Sequence, residues 1–221
     1  MTTLRDEIIA LAKSLGACDI GFFKGGEESL GYGISVAIRL SDAIIDEISN
    51  EPTLTYFNHY RSVNALLDHI ILRIGLLLQN NGHRFITVAA SQSMPNIGRF
   101  NGRFSHKKAA ALSGMGQVGR NCLFIHEKYG PRVRLATILT DFDGTNVSRP
   151  KEDDAKSCDG CDICVRACPA QALFGQDFDI NDPDAPLMDY RACSDHMKKA
   201  YQHIGRGAVC GICMRVCPKG G

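Results

Sequence analysis

The clearest chemistry in this 221-residue chain lies in eight cysteines within its last 64 residues, set out as two copies of one spacing. The first copy reads Cys158-Asp-Gly-Cys161-Asp-Ile-Cys164-Val-Arg-Ala-Cys168-Pro169. The second starts from a displaced Cys193 and continues, after sixteen intervening residues, as Cys210-Gly-Ile-Cys213-Met-Arg-Val-Cys217-Pro218. A C-x2-C-x2-C-x3-C-P run is a ligand set for [4Fe–4S] clusters, and two of them predict a protein that moves electrons.

A C-x2-C-x2-C loop is short enough to curl around one corner of a cubane, with backbone N–H groups aimed at the sulfurs to offset negative charge. If the chain turns helical after Cys164, Cys168 faces away from that corner and Pro169 ends the turn. The fourth cysteine of each run then ligates the other cluster. Cluster one takes Cys158, Cys161, Cys164 and Cys217, and cluster two takes Cys193, Cys210, Cys213 and Cys168. A zinc ribbon on Cys158, Cys161, Cys210 and Cys213 is the competing reading. It leaves four cysteines without a role and does not explain the C-x3-C-P endings. Disulfides compete less well, because the cysteines are clustered and no export signal precedes them. Cys18 and Cys122 lie in apolar runs outside the set and read as buried thiols.

Other motifs carry less. Gly114-Met115-Gly116-Gln-Val-Gly119 matches G-x-G-x-x-G. A dinucleotide site needs a strand before that motif and a helix after it, and here the order is reversed. The glycines suit a helix stop and close backbone approach to something large. His59-Tyr60-Arg61 reads as a helix start or a polar wall over a cofactor, and His106-Lys107-Lys108 as a basic helix start. His69, His83, His126, His196 and His203 have no metal-ligand spacing.

The elements that position these groups are mixed. Thr3-x-x-Asp6 predicts a capping box opening a helix with Leu4, Ile8, Leu11 and Ala12 on one face, stopped at Gly16. Strands are expected at 18–23 and 33–39, with a short helix capped by Ser41 between them and the next element. Val63, Leu66, Leu67, Ile70, Ile71, Ile74, Leu77 and Leu78 give a core-facing helix over 55–79. A strand at 85–89, a helix at 106–113, strands at 122–126 and 132–140, and a linker at 141–157 complete the pattern.

The 44% hydrophobic fraction suits a packed protein, and residues 1–150 suffice for a core of their own. The cysteine-rich end relies on its metal. The formal charge of +1 becomes roughly −3 with two oxidised clusters bound, and neither value predicts a grip on nucleic acid. No apolar stretch of 18 residues is free of charge, so no membrane span is expected. The N-terminal residues carry no signal peptide, and oxygen-sensitive clusters suggest a cytoplasmic setting.

The segment from Phe104 through Ser105, His106, Lys107, Gly114, Gly116, Gly119, Arg120 and Asn121, followed by Tyr129 to Asp141, resembles the epoxyqueuosine reductases and respiratory reductive dehalogenases. Both share an H-K-x-A-A-x-x-A-G-L-G-x-x-G-(R/K)-N motif, a strand pair ending L-T-D, and a dicluster tail. The resemblance implies an α+β fold, with a nitroreductase-like corrinoid-binding domain at 1–150 and a dicluster ferredoxin-like domain at 151–221. It implies two [4Fe–4S] clusters passing electrons to cobalamin, with Ser105, His106, Lys107, Gly114, Met115, Gly116, Gly119, Arg120 and Asn121 lining the corrinoid. An electron donor of ferredoxin or flavodoxin type and a small-molecule or corrinoid-protein substrate follow, and homodimer formation stays open. Epoxyqueuosine reductases carry an acid ahead of the His/Lys helix, whereas Met94–Phe104 here holds no Asp or Glu. Neither their helical repeats nor the dehalogenases' export signal is seen, so the chain reads as a shared core. Two alternatives remain: an electron-transfer protein without corrinoid whose first domain docks a redox partner, and FMN in place of the corrinoid.

Overall fold

The chain divides into two compact units built from interleaved segments. One comprises Met1–Arg39, Val63–Met115 and Arg134–Glu152, and the other Leu40–Ser62, Gly116–Val133 and Asp153–Gly221. The structure is a computed structural model, and it describes residues 2–27, 29–94, 96, 98–145, 158–179, 182, 185–205 and 209–220. Mixed α and β structure is present, and over the first 140 residues its order is the one the hydrophobic patterning predicts, with one further short strand at Gly116–Val118.

In the first unit, α1 (Leu4–Ser14) opens on the expected capping box. Thr3 Oγ1 accepts from the Asp6 N–H at 3.2 Å, and the Asp6 carboxylate accepts from the Thr3 N–H at 3.2 Å. Such a cap stabilises a helix by about 1 kcal/mol, and Ile8 and Ala12 are the residues it turns into the core. β1 (Asp19–Glu27) and β2 (Leu30–Arg39) form an antiparallel hairpin with an irregularity between Lys24 and Glu27. In the second unit, Ser41 stands at the N-cap of α2 (Asp42–Asp46), but its side chain makes no cap bond.

The long helix α3 (Leu54–Asn80) buries Val63, Leu67, Ile70, Ile71, Ile74 and Leu78, the 3.6-residue stripe expected of a core helix. Leu66, expected on that face, is 39% exposed. By length and composition α3 could cross a membrane, and the packed stripe is what a core helix has instead. A Cβ on Gly75 would lie 2.2 Å from the Phe85 ring, so α3 abuts β3 (Phe85–Val88) at van der Waals distance. α4 (His106–Leu112) packs on β1 and β2. The end of α4 comes so close that a Cβ on Gly21 would meet the Ser113 side chain at 2.6 Å.

β4 (Gly116–Val118) and β5 (Phe124–His126) form a two-stranded antiparallel hairpin in the second unit. β4 was not expected, because its glycines read as a turn. β6 (Val133–Thr140) completes a four-stranded sheet of order β1-β2-β6-β3, with Phe85 opposite Thr140 and Val88 opposite Thr137.

The cysteine-rich tail contains α5 (Ile163–Arg166), α6 (Tyr190–Gly205) and α7 (Ile212–Arg215). Two further segments group with it, and the bonds that hold them are specific. The nearly buried Arg132 guanidinium donates to Asp42 at 3.1 Å and Asp46 at 2.8 Å, and Arg215 reaches Asp46 at 3.4 Å. The Tyr201 hydroxyl donates to the Asn50 carbonyl at 3.2 Å, and a Cβ on Gly205 would meet the Phe57 ring at 2.3 Å. Of the expected linker 141–157, residues 146–157 lie outside the described residues. Its first residue is not loose, because Asp141 accepts from both the Arg84 backbone N–H and Nε at 3.0 Å.

Candidate metal centre

The two cysteine loops take the tight curl their sequences require. In the first, the Cys161 N–H donates to the Cys158 carbonyl at 2.6 Å, and Asp159 (φ 40°) and Gly160 (φ 76°) both adopt left-handed backbone. Glycine takes that conformation without a Cβ penalty and Asp tolerates it. In the second loop Gly211 plays that part at φ 82°, and a Cβ there would also press on Ile48 at 2.7 Å and Tyr56 at 2.9 Å. Each loop runs into one helical turn, α5 or α7, and these two turns pack together.

That packing groups the thiols across the two runs. Cys164 lies under the electrostatic influence of Cys217, Cys158 and Cys161, and Cys217 under that of Cys158 and Cys161. Cys193 senses Cys210 and Cys168, Cys210 senses Cys168, and Cys213 senses Cys210, Cys193 and Cys168 before Cys164. Burial first and neighbouring thiols second push Cys164 and Cys193 up to about 11 and Cys213 higher still. Such thiols resist ionisation unless positive charge enters among them, and iron supplies that charge.

Among the described residues no three His, Cys, Asp or Glu side chains converge closely enough for one metal ion. A cubane asks for something different, since each thiolate binds a separate iron. The surrounding donors fit a thiolate cluster. The Arg120 N–H donates to Cys158 Sγ at 3.5 Å and the Ala172 N–H to Cys168 Sγ at 3.4 Å. Backbone groups of Val165, Ile212 and Lys219 likewise favour the ionised forms of Cys164, Cys210 and Cys217.

Arg120 and Asn121 therefore sit against the cysteine loops. The Arg120 guanidinium is gripped by both oxygens of Asp177, at 2.7 and 2.9 Å. Asn121 is buried, with Nδ2 donating to the Cys213 carbonyl at 3.4 Å and Oδ1 accepting from the Leu123 N–H at 3.0 Å. No sequence signal pointed to Asp177 or Ala172, which belong to no motif. The two remaining thiols differ. Cys18 Sγ donates to the Ala37 carbonyl at 3.3 Å and is pushed up to about 11, chiefly by burial. Cys122, at φ 56°, lies 3.5 Å from the Tyr190 hydroxyl and within electrostatic reach of Cys193.

The other residues expected to line a cofactor have local roles. Ser105 caps α4, accepting from the Lys108 N–H at 3.3 Å. His106 Nε2 donates to the Ala89 carbonyl at 2.9 Å, which fixes its tautomer and leaves Nδ1 to accept from Thr137 Oγ1 at 2.8 Å. Burial brings its pKa down to about 4, so the ring is neutral. Lys107 is partly buried on the first turn of α4. Gly114 (φ 76°) stops α4, and Met115 is fully buried in the first unit. Gly116 (φ 151°) lies where a Cβ would sit 2.1 Å from the Ile125 carbonyl oxygen, and a Cβ on Gly119 would meet the Ile125 side chain at 2.8 Å. The hairpin itself thus requires both glycines. Ser105, His106, Lys107, Gly114 and Met115 fall in the first unit and Gly116, Gly119, Arg120 and Asn121 in the second.

Residues 157–220 match the family described as a 4Fe-4S double cluster binding domain. A tetrachloroethene reductive dehalogenase of Dehalobacter restrictus is 41% identical over 120 residues, covering 49% of this chain and 21% of the relative. An epoxyqueuosine reductase of Staphylococcus aureus is 33% identical over 123 residues, covering 53% of this chain and 30% of the relative. The chain thus spans under a third of the length of these curated relatives. Among solved structures, a catabolic reductive dehalogenase superposes with a TM-score of 0.76 at 19% identity, over 98% of this chain and 32% of that one. An epoxyqueuosine reductase with a modified tRNA stem loop superposes with a TM-score of 0.62 at 18% identity, over 98% and 65%. These superpositions show the shared fold.

Proposed function

As a homologue of the reductive dehalogenases and epoxyqueuosine reductases, the chain is, we propose, an iron–sulfur reductase in which two [4Fe–4S] clusters pass electrons to a bound corrinoid. The observation that carries the first half is that Cys158, Cys161, Cys164 and Cys217 act on one another, and Cys168, Cys193, Cys210 and Cys213 on one another, more strongly than across the two sets. Four thiols per set, with backbone N–H groups donating to sulfur, fit two four-cysteine clusters. When bound, the clusters supply single electrons and the corrinoid a strongly reducing centre for a reductive reaction.

The corrinoid half rests on the homology and on the chain from Ser105 to Asn121. In this reading Ser105, Lys107 and the Gly-rich segment line the macrocycle, in the nitroreductase-like domain that the resemblance places at 1–150. His106 holds α4 to Ala89 and Thr137 rather than offering a ring nitrogen to a metal, which suits a corrinoid with no protein ligand. A ferredoxin- or flavodoxin-type donor supplies the electrons, and a reducing compartment suits the thiolates. The substrate is a small molecule or another protein's corrinoid.

A second reading is favoured by the Gly116–Ile125 approach and by the contacts of Arg120 and Asn121. These motif residues already have work within the protein, as they would in an electron carrier that binds no corrinoid. Anaerobic reconstitution followed by titration with cob(II)alamin, read by EPR, separates the two. Saturable conversion to a base-off cobalt signal is expected for the corrinoid reductase. An unchanged cobalt spectrum beside two intact clusters would leave the electron carrier, and flavin bands in the purified protein would point to FMN.

A further inference from the structure

We propose that Arg120 raises the reduction potential of the cluster held by Cys158, Cys161, Cys164 and Cys217, and that Asp177 acts against it as a counter-charge. The inference rests on the iron–sulfur reading above and adds a determinant of how readily that cluster takes an electron.

Three observations converge on Arg120. Its backbone N–H donates to Cys158 Sγ at 3.5 Å, which fixes the residue against a ligand of one cluster. Its guanidinium is held in a two-pronged grip by Asp177, so the charge has a defined position. Its side chain is 17% exposed while that of Asp177 is 67% exposed, so water screens the carboxylate more than the cation. Charge on Cys158 is felt at this guanidinium. Asn121, the next residue, instead reaches the Cys213 carbonyl of the other loop at 3.4 Å. Of the eight thiols, the one that acts on the Arg120 guanidinium is Cys158, a ligand of the first cluster.

Reduction adds one electron to the cluster, supplied in the test by dithionite, with no bond made or broken. The reduced cluster carries one more negative charge. A nearby cation less screened than its counter-charge stabilises it more than the oxidised form and raises the potential. Asp177, exposed and screened by water, offsets part of that effect.

The test is an EPR-monitored redox titration of the reconstituted chain, with Cys158→Ser identifying which midpoint belongs to this cluster. Arg120→Gln is expected to shift that midpoint to lower potential and Asp177→Asn to higher potential. The other midpoint stays put as an internal reference. Arg120→Lys, which keeps the charge and loses the fork, stays near the parent. A merely structural ion pair would respond alike to loss of either partner. Shifts in the same direction, or no shift in either variant with about eight irons per chain retained, would overturn the inference. So would iron loss in Arg120→Gln that Arg120→Lys does not rescue. A parent chain that assembles no cluster would overturn the iron–sulfur reading together with it.

Discussion

The side-chain amide of Asn121 donates to the carbonyl oxygen of Cys213 at 3.4 Å, so a residue of the Gly-rich motif braces a cysteine loop more than ninety positions along the chain. Asn121 is buried, and its oxygen is occupied by the Leu123 N–H. Asn121→Ala removes both bonds. The expected cost is about 1–3 kcal/mol of local stability, seen as faster loss of one cluster to a chelator under anaerobic conditions. Equal loss rates in parent and variant would detach Asn121 from the cluster loop.

His106 makes the first unit sensitive to acid. Its folded pKa of about 4 lies below the ordinary 6.5, because burial disfavours the charged ring. Between these values the unfolded chain binds a proton that the folded chain does not, so stability falls as pH drops from 6.5 toward 4 and is flat above 6.5. The contribution is no more than about 3 kcal/mol. Thermal unfolding of the holo-protein at pH 5 and pH 7.5 is expected to show a smaller difference in His106→Gln than in the parent.

Gly116 is held by the β4–β5 hairpin, since a Cβ would meet the Ile125 carbonyl oxygen at 2.1 Å. Gly116→Ala is expected to destabilise the protein by about 2 kcal/mol or more before any effect on a bound cofactor. Gly31→Ala, where a Cβ meets nothing within 4 Å, stays within about 0.5 kcal/mol. Denaturant melts of the two variants check this.

Cys18 and Cys122 stand apart from the two four-thiol sets. The double variant Cys18→Ala/Cys122→Ala is expected to keep about eight irons per chain after reconstitution. Loss of four irons would make Cys122, beside Cys193, a ligand.

Much of this was legible in sequence because it is local. The Thr3–Asp6 cap, the stripe on α3 and the two cysteine runs are set by spacings of three or four residues, which helix and loop geometry translate directly. The misses are non-local. Nothing near residue 120 announces that Arg120 and Asn121 turn to loops around residues 158 and 213, or that Asp177 grips Arg120. The glycines of the Gly-rich run carried a true signal of close approach. What approaches is the protein's own Ile125, which only the hairpin register reveals. Ser41 looked like a cap by type and position, and only the structure shows that its hydroxyl makes no cap bond.

Cys168→Ser probes whether the fourth cysteine of each run ligates the other run's cluster. Cys168 stands in the first cysteine run but acts electrostatically on Cys193, Cys210 and Cys213. After anaerobic reconstitution, Mössbauer and EPR spectra of Cys168→Ser are compared with those of Cys193→Ser and Cys158→Ser. Damage to the same cluster as in Cys193→Ser, with the cluster affected by Cys158→Ser intact, is the expected result. Damage that instead follows Cys158→Ser would contradict the crossover.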